Sequence, residues 1–114
     1  MSDQQKLHIL WTNADVLTSQ LMVMMYATNS MKNDWWDEVT VIIWGATAKL
    51  AAENDTIQQY IKIAQQVGVS FSACEACARQ LGVTEKLREL DIEVKFWGGP
   101  LTDLLKEDAK LLTV

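Results

Sequence analysis

The chain has 114 residues, of which 49% are hydrophobic and 22% charged, and it carries a net charge of −5. This length predicts one domain over residues 1–114, with a flexible N-terminus at residues 1–5 and a core that needs no disulfide. The acidic balance, without a basic cluster, argues against nucleic acid and anionic membranes as partners. The polar start MSDQQK is unlike a signal peptide, and no apolar run reaches the roughly 20 residues of a membrane span, so we expect a cytoplasmic protein.

The first part of the chain predicts a strand, a helix and a second strand. The apolar run KLHILW at residues 6–11 is typical of a strand, and Asp15 offers a capping side chain for the helix that follows. That helix is predicted to be amphipathic, because side chains that can face the core recur at spacings of three and four: Leu17, Leu21, Met24, Met25, Thr28 and Met31. The β-branched run at residues 39–44 is typical of a parallel strand covered on both faces, and Gly45 ends it.

The rest of the chain continues this alternation. A short helix is expected at residues 47–54, and Asp55 with Gln58 resembles a capping box for a helix that stops at Gly68. The buried stripe of that helix is expected at Ile57, Tyr60, Ile61, Ala64 and Val67. The remaining elements are a strand at 69–73, a helix at 74–81 ending at Gly82, a helix at 84–90, a strand at 92–97, a turn at Gly98-Gly99-Pro100, a helix at 101–108 and a strand at 110–114. The alternation predicts an α/β fold with a five-stranded, mostly parallel sheet and helices on both faces.

A candidate ligand pocket lies where the predicted strands end, because ligands bind outside the carboxyl ends of parallel strands. Three of those strands end in a tryptophan that is followed by a glycine or, within two residues, by an asparagine. These are the candidate pocket residues: Trp11, Asn13, Trp44, Gly45, Trp97 and Gly98. Aromatic walls with a few polar groups are typical of small-ligand pockets and of subunit interfaces. The same tryptophans could instead seal the core at that edge, and the sequence leaves both interpretations open.

Several common chemistries are not supported by motifs. The turn after the first strand has no glycine, and the chain contains neither the G-x-G-x-x-G pattern nor the P-loop pattern of nucleotide-binding proteins. The G-x-S-x-G pattern of serine hydrolases is also missing, and the single histidine, His8, lies inside the first strand. We therefore predict no nucleotide cofactor and no serine nucleophile.

The two cysteines, Cys74 and Cys77, are the candidate catalytic residues. Cys74 stands where the third strand meets a helix, so free backbone N–H groups and the helix dipole should lower its pKa, while Glu75 opposes this effect. Cys77 lies one turn further on, as a resolving thiol or as a residue that fills space behind Cys74. Two thiols supply only half of a typical zinc site, so no metal is predicted. The two could also be small buried core residues.

The segment from Cys74 to Gly82, with Arg79 and Val83 beside the glycine and Cys77 inside it, resembles the DsrE/DsrF/TusD-like sulfur-relay family, including its YchN-like members. The ending PLTDLLKEDAKLLTV resembles the closing helix and strand of that family. The resemblance implies a three-layer α/β/α fold with a five-stranded, largely parallel sheet. It also implies ring-like homo-oligomers, commonly trimers or hexamers, and a persulfide carried on Cys74.

Three functions follow as hypotheses, and the sequence leaves open whether the protein is an enzyme. The first is a sulfur carrier or sulfurtransferase that takes sulfur from a donor protein and passes it to an acceptor through Cys74. The second is thiol–disulfide redox chemistry by Cys74 and Cys77. The third is a non-catalytic oligomeric module that binds a small ligand. A homo-oligomer is expected in each case, because the helix at residues 17–31 and the pair Trp35-Trp36 carry more apolar surface than a short chain readily buries.

Overall fold

The strands of the computed structural model, which describes residues 4–114, form a single sheet. They are β1 (Lys6–Trp11), β2 (Glu38–Ile43), β3 (Ser70–Cys74), β4 (Glu93–Lys95) and β5 (Leu111–Thr113). Their order across the sheet is β4-β3-β2-β1-β5, and every neighbouring pair is parallel. The predicted α/β fold with a five-stranded parallel sheet is therefore confirmed, and each strand lies within two residues of its expected position.

The helices occupy the connections between strands. They are α1 (Val16–Thr18), a π-helical stretch (Ser19–Met24), α2 (Met25–Lys32), α3 (Ala46–Glu53), α4 (Asp55–Gln66), α5 (Glu75–Leu81), α6 (Thr84–Glu89) and α7 (Gly98–Lys106). The steps from β1 to β2, β3 and β4 all move in one direction, so right-handed crossovers place α1 to α6 on one face. The step from β4 back to β5 reverses direction and places α7 on the other face.

The main core lies between the sheet and the helices α1 to α6. Alternate residues of the strands point into it: Leu7, Ile9, Trp11, Val39, Val41, Ile43, Phe71 and Ala73. Helical side chains meet them from the other side, including Val23, Met24, Ile57, Ile61 and Leu87. Each such aliphatic side chain contributes about 1.5–3 kcal/mol on burial, so this layer supplies most of the stability of the fold.

The opposite side of the sheet, here called the open face, is only partly covered. Helix α7 contributes no buried residue, and its Leu104 lines a shallow cleft beside His8 at one margin of this face. Strand residues on the open face include Thr40, Ser70 and Glu93, all of which keep some exposure to solvent. The two faces of the sheet are therefore unequal in both cover and polarity.

The first helix has the predicted extent, with Asp15 as its cap accepting from the Thr18 N–H at 2.8 Å. The predicted set of buried residues in this helix, which runs through α1, the π-helical stretch and α2, is partly wrong. Leu17, Leu21 and Met25 are 64%, 54% and 49% exposed, whereas Ser19 is fully buried and bonded to the core indole of Trp11. The π-helical stretch widens the turn and rotates the helix faces relative to a regular α-helix, which a strict period of 3.6 residues does not anticipate.

Two local predictions need correction. Helix α4 is capped by Asn54, whose side chain accepts from the Ile57 N–H at 2.9 Å, and not by a capping box of Asp55 and Gln58. Gln58 instead donates to the carbonyl groups that end α3. The segment Gly98-Gly99-Pro100 is the first turn of α7 and not a separate turn, because a proline in the first helical turn loses no intrahelical hydrogen bond.

Candidate functional site

Cys74 is the last residue of β3 and the N-cap of α5, with the extended backbone that an N-cap adopts. The polypeptide reaches this geometry because the buried strand SFSAC ends where the helical segment EACARQL begins. Helix α5 then ends at Gly82, whose φ of 70° is the left-handed conformation that glycine adopts without strain. Cys74 thus stands at the N-terminus of α5, where the first N–H groups of the helix lack intrahelical acceptors, although its sulfur makes no cap hydrogen bond in this structure.

The electrostatics of Cys74 differ from the expectation. Burial of the side chain, which is 4% exposed, raises the pKa of the Cys74 thiol above its ordinary value. The backbone N–H groups of Cys77 and Ala76 lower that pKa, but they do not outweigh burial, and the neighbouring Cys77 thiol adds to the rise. The predicted lowering of the Cys74 pKa is therefore wrong in direction for the single chain, because the sequence does not reveal how little of this sulfur meets water.

Cys77 lies one turn along α5 and is half-buried. The Gly45 N–H donates to its sulfur at 3.4 Å, so the end of β2 contacts the second thiol directly. Gly45 has a φ of 69°, a conformation that favours glycine, and it is the N-cap of α3. Both cysteines are free thiols, and Gly45, a predicted pocket residue, contacts the second of them.

Glu75 does not stand as a bare charge beside the thiols. Its carboxylate pairs with the Arg79 guanidinium one turn later, and the Glu75 side chain is only 12% exposed. Arg79 also lies over the ring of Phe96, with 5.3 Å between its central carbon and the ring centroid. This arrangement neutralises the acidic residue that follows Cys74 and so reduces its repulsion of a sulfur anion.

The predicted pocket tryptophans share the carboxyl end of the sheet with Cys74 but not the same face. Trp11 is fully buried among the core residues, where its Nε1 donates to Ser19 Oγ at 2.9 Å. Trp97 lies on the open face, where its Nε1 donates to Ser72 Oγ at 2.8 Å. The sheet separates these two indoles, so they do not wall one crevice.

The other predicted pocket residues serve the connections at this end of the sheet. The Asn13 N–H donates to the Val114 carbonyl at 3.1 Å, and the Asn13 side chain accepts from the Asp15 N–H. Trp44 is half-buried, and its N–H donates to the Trp11 carbonyl at 3.2 Å. Gly98 is exposed at the start of α7.

A cleft on the open face was not predicted from the sequence. It has a volume of about 620 Å³, and its lining includes His8, Thr40, Ser72, Lys95 and Trp97. One signal could have revealed it, because Thr40 in β2 and the alternating Ser70 and Ser72 in β3 are unusual in strands that lie centrally in a parallel sheet.

Two further properties concern the described part of the chain. Residues 4–114 contain no group of three histidine, cysteine or acidic side chains placed to hold a metal ion. Within the same residues, every helix is too short or too polar to cross a lipid bilayer.

The fold and the placement of its thiols define a class of protein: a parallel α/β domain in which a cysteine at the end of β3 caps the next helix. The DsrE/DsrF-like family matches residues 12–114. The chain therefore belongs to the DsrE/DsrF-like family, and the predicted family relationship is confirmed.

Two solved structures share this fold. A conserved protein of unknown function, BT1422 from Bacteroides thetaiotaomicron, is 38% identical and superposes with a TM-score of 0.94 over 96% of this chain and 95% of that one. The ychN protein from E. coli is 17% identical, with a TM-score of 0.72 over 96% of this chain and 99% of that one, a likeness of fold alone. No curated protein matches the chain.

Proposed function

We propose that the protein is a sulfur carrier that holds sulfane sulfur as a persulfide on Cys74. The observation that carries this proposal is the position of Cys74 as the N-cap of α5, where the backbone N–H groups of Cys77 and Ala76 act to lower the pKa of its thiol. Backbone N–H groups at a helix N-terminus stabilise an anion that replaces their missing acceptors. A cysteine persulfide is such an anion, and membership of the DsrE/DsrF-like family supports the same role.

The loading step is a displacement at sulfur. The Cys74 thiolate attacks the outer sulfur of a donor persulfide, the sulfur–sulfur bond of the donor breaks, and the donor leaves as a thiolate. Unloading repeats this exchange with an acceptor thiolate, which takes the outer sulfur and restores the Cys74 thiolate. The chain needs no metal for either step, because the thiolate supplies the electron pair and the departing thiolate accepts it.

Burial of Cys74 limits sulfur exchange in the absence of a partner. Because burial raises the pKa of the Cys74 thiol, little thiolate is present in the unengaged protein at neutral pH. A donor that docks over the edge near Cys74 and exposes the sulfur would start the reaction, so loading depends on encounter with the right partner. The pairing of Glu75 with Arg79 keeps that edge free of an uncompensated negative charge.

Cys77 is assigned the role of resolving thiol. Its thiolate can attack the inner sulfur of the Cys74 persulfide, which forms a disulfide between the two cysteines and releases hydrosulfide. The Gly45 N–H donates to the Cys77 sulfur at 3.4 Å and so fixes the position of this second thiol. The reaction would discharge a persulfide that finds no acceptor, and a reducing compartment such as the cytoplasm would then regenerate both thiols.

The protein is also proposed to assemble with copies of itself, as a trimer or hexamer. Exposed apolar side chains cluster on the first helix and on the neighbouring α4: Val16, Leu17, Leu21, Met22, Met25 and Ile63. Leu21, Met25 and Ile63 line a groove of about 160 Å³ between these helices. A patch of this kind on so small a domain favours a subunit interface. Sedimentation that gives a monomer at micromolar concentration would remove this part of the proposal.

A second candidate function rests on the adjacency of the two thiols. Cys74, the N-cap of α5, and Cys77, one turn into that helix, lie close enough for the Cys77 thiol to affect the pKa of Cys74. The pair could therefore cycle between dithiol and disulfide without carrying sulfur. Such a protein would form a reversible intramolecular disulfide and would gain no mass from a sulfane donor.

The test is intact-mass spectrometry after treatment with a persulfide donor. Wild-type protein is expected to gain the mass of one sulfur atom, Cys74→Ser is expected to gain none, and Cys77→Ser is expected to gain one and keep it longer. The matched comparison between the two serine variants removes one thiol each from the same helix. Sulfur found on Cys77 in the Cys74→Ser variant would contradict the assignment, and unreactive thiols in a folded protein would mark both cysteines as core residues.

A further inference from the structure

The register of the sheet aligns polar side chains in rows across the open face. One row runs from His8 through Thr40 to Ser70, since these residues are partners on adjacent strands. The next row runs through Leu10, Ile42, Ser72 and Glu93, so it is apolar on β1 and β2 and polar on β3 and β4. Central strands of a parallel sheet normally carry apolar side chains on both faces, so the hydroxyl groups of Thr40, Ser70 and Ser72 make this part of the open face unusually polar.

A hydrogen-bonded network fixes the second row. The Trp97 Nε1 donates to Ser72 Oγ at 2.8 Å, and Ser72 Oγ donates to Glu93 Oε1 at 2.7 Å. Lys95 Nζ lies 3.6 Å from the same carboxylate oxygen and 4.6 Å from the centroid of the Trp97 ring. The indole thus anchors, through Ser72, a solvent-exposed carboxylate and ammonium that lie side by side at the wall of the cleft.

The first row contains an unpaired group. His8 Nδ1 is buried and has no hydrogen-bond partner among the described residues. A buried ring nitrogen without a partner costs free energy. His8 is one of the residues that line the cleft, whose volume of about 620 Å³ is enough for a small molecule.

We propose that this cleft binds a small zwitterion of the α-amino acid class. The ammonium of the ligand lies against the Glu93 carboxylate and its carboxylate against Lys95, so that two charge-assisted pairs form from a preset pair of opposite charges. The Trp97 ring forms the apolar wall, and the Thr40 hydroxyl offers a polar contact to the remainder of the ligand. A ligand with only one of the two charges would leave its counterpart on the protein unmatched.

A link between this cleft and the sulfur chemistry rests on the proposed function, since the cleft lining reaches Ser72 and Lys95 but neither cysteine. Strand alternation places Ser72 and Cys74 on the same face of β3, and Cys74 is the register partner of Lys95. Two residues along a strand span roughly 7 Å, a distance that the side chain of a bound amino acid can largely bridge. The natural ligand is then a zwitterionic persulfide such as that of cysteine, whose outer sulfur passes to Cys74 as its own thiolate leaves.

Binding is tested with a series of hydroxyl compounds that cannot react with the thiols. L-serine has both charges, ethanolamine lacks the carboxylate and 3-hydroxypropionate lacks the ammonium. Titration of wild-type protein, followed by calorimetry and by the indole N–H signal of Trp97, should show L-serine binding at least about tenfold more tightly than either analogue, since each loses one charge-assisted pair.

Two variants assign the charges. In Lys95→Met, the affinity for L-serine should fall to that for ethanolamine or below. In Glu93→Gln, the affinity for L-serine should fall to that for 3-hydroxypropionate or below. Lys86→Met, on the exposed surface of α6, is the matched control and should bind as wild type does. Equal binding of all three compounds, or no binding of L-serine at millimolar concentration, overturns the proposal. If Lys95→Met and Glu93→Gln change the sedimentation coefficient but not the affinity for L-serine, the open face is an interface between copies. This result also overturns the proposal.

The link to sulfur has its own readout. Loading of Cys74 from cysteine persulfide should fall about tenfold in Lys95→Met, while loading from inorganic polysulfide should be unchanged. L-serine binding without any persulfide on Cys74 would support the cleft and contradict the carrier function. Loading from both donors at equal rates in wild type and variant, with no L-serine binding, would support the carrier and contradict the cleft.

Discussion

The two faces of the sheet carry residues from the same strands, yet they differ in almost every physical respect. The face under α1 to α6 is closed by fully buried side chains such as Ile9, Val41 and Ile61. The open face presents Thr40, Ser70 and other polar groups to a solvent-filled cleft. One face therefore provides the stability of the fold, and the other is free to hold polar groups that contribute little to stability and much to recognition.

The largest expected effect is on the closed face. Trp11→Ala should lower the free energy of unfolding by about 3–5 kcal/mol, because it leaves a cavity and removes the partner of Ser19. Urea denaturation followed by circular dichroism measures this change. Trp35→Ala is the matched control, since Trp35 is 55% exposed and its loss should cost within about 0.5 kcal/mol. Equal losses for both would mean that the closed face is not the stabilising one.

A smaller effect is expected where the closed face meets the carboxyl edge. The Thr47 hydroxyl donates to the Trp11 carbonyl at 2.7 Å in a fully buried position. Thr47→Val keeps the shape but removes this bond, and it should cost about 1–3 kcal/mol because the carbonyl loses a buried partner. Thr47→Ser, which keeps the hydroxyl, should recover most of the loss in the same denaturation experiment.

Cys74 lies at the carboxyl edge of the sheet, where its two faces meet, and the next prediction concerns the rate at which this thiol is alkylated. Because burial raises the pKa of the Cys74 thiol, its thiolate forms only at higher pH than that of an exposed cysteine. Alkylation of Cys74 in the Cys77→Ser variant should therefore be slower at pH 7 than alkylation of a free cysteine, and it should accelerate with a midpoint above the ordinary thiol value. A midpoint below that value would show that the helix N–H groups outweigh burial.

The smallest effect is expected on the open face. Ser72→Ala removes the bond from the Trp97 Nε1 and should cost about 1 kcal/mol or less, because the nearby cleft lets water take the place of the hydroxyl. The same variant should shift the indole N–H signal of Trp97 clearly. A loss as large as that of Thr47→Val would indicate that the open face is closed in solution, by a second copy for example.

Much of the fold could be predicted because the signals were local. Apolar runs with turn residues at their ends located all five strands, and a cysteine before a helical segment located Cys74 as an N-cap. The helix faces were harder. The π-helical stretch at Ser19–Met24 changes the helical period, and no local pattern in the sequence indicated it.

Three features of the candidate site could not be predicted from the sequence. The raised pKa of Cys74 depends on burial by residues distant in the chain, and the separation of Trp11 from Trp97 depends on which way each strand residue points. The row of His8, Thr40 and Ser70 becomes visible only when the register of three strands is known. Long-range pairing, and not local propensity, determines each of these features.

The position of β5 has a consequence for how the chain folds. The last strand pairs beside β1, and the Thr12 hydroxyl bonds to a carbonyl 102 residues away. During synthesis on the ribosome, the outer edge of β1 stays unpaired until residues 111–113 have emerged. Exposed strand edges recruit other strands, and long-range pairings form slowly. The nascent protein therefore passes through a period in which this edge is the main site of misassembly, and chaperones that shield β1 would raise the yield of folded protein.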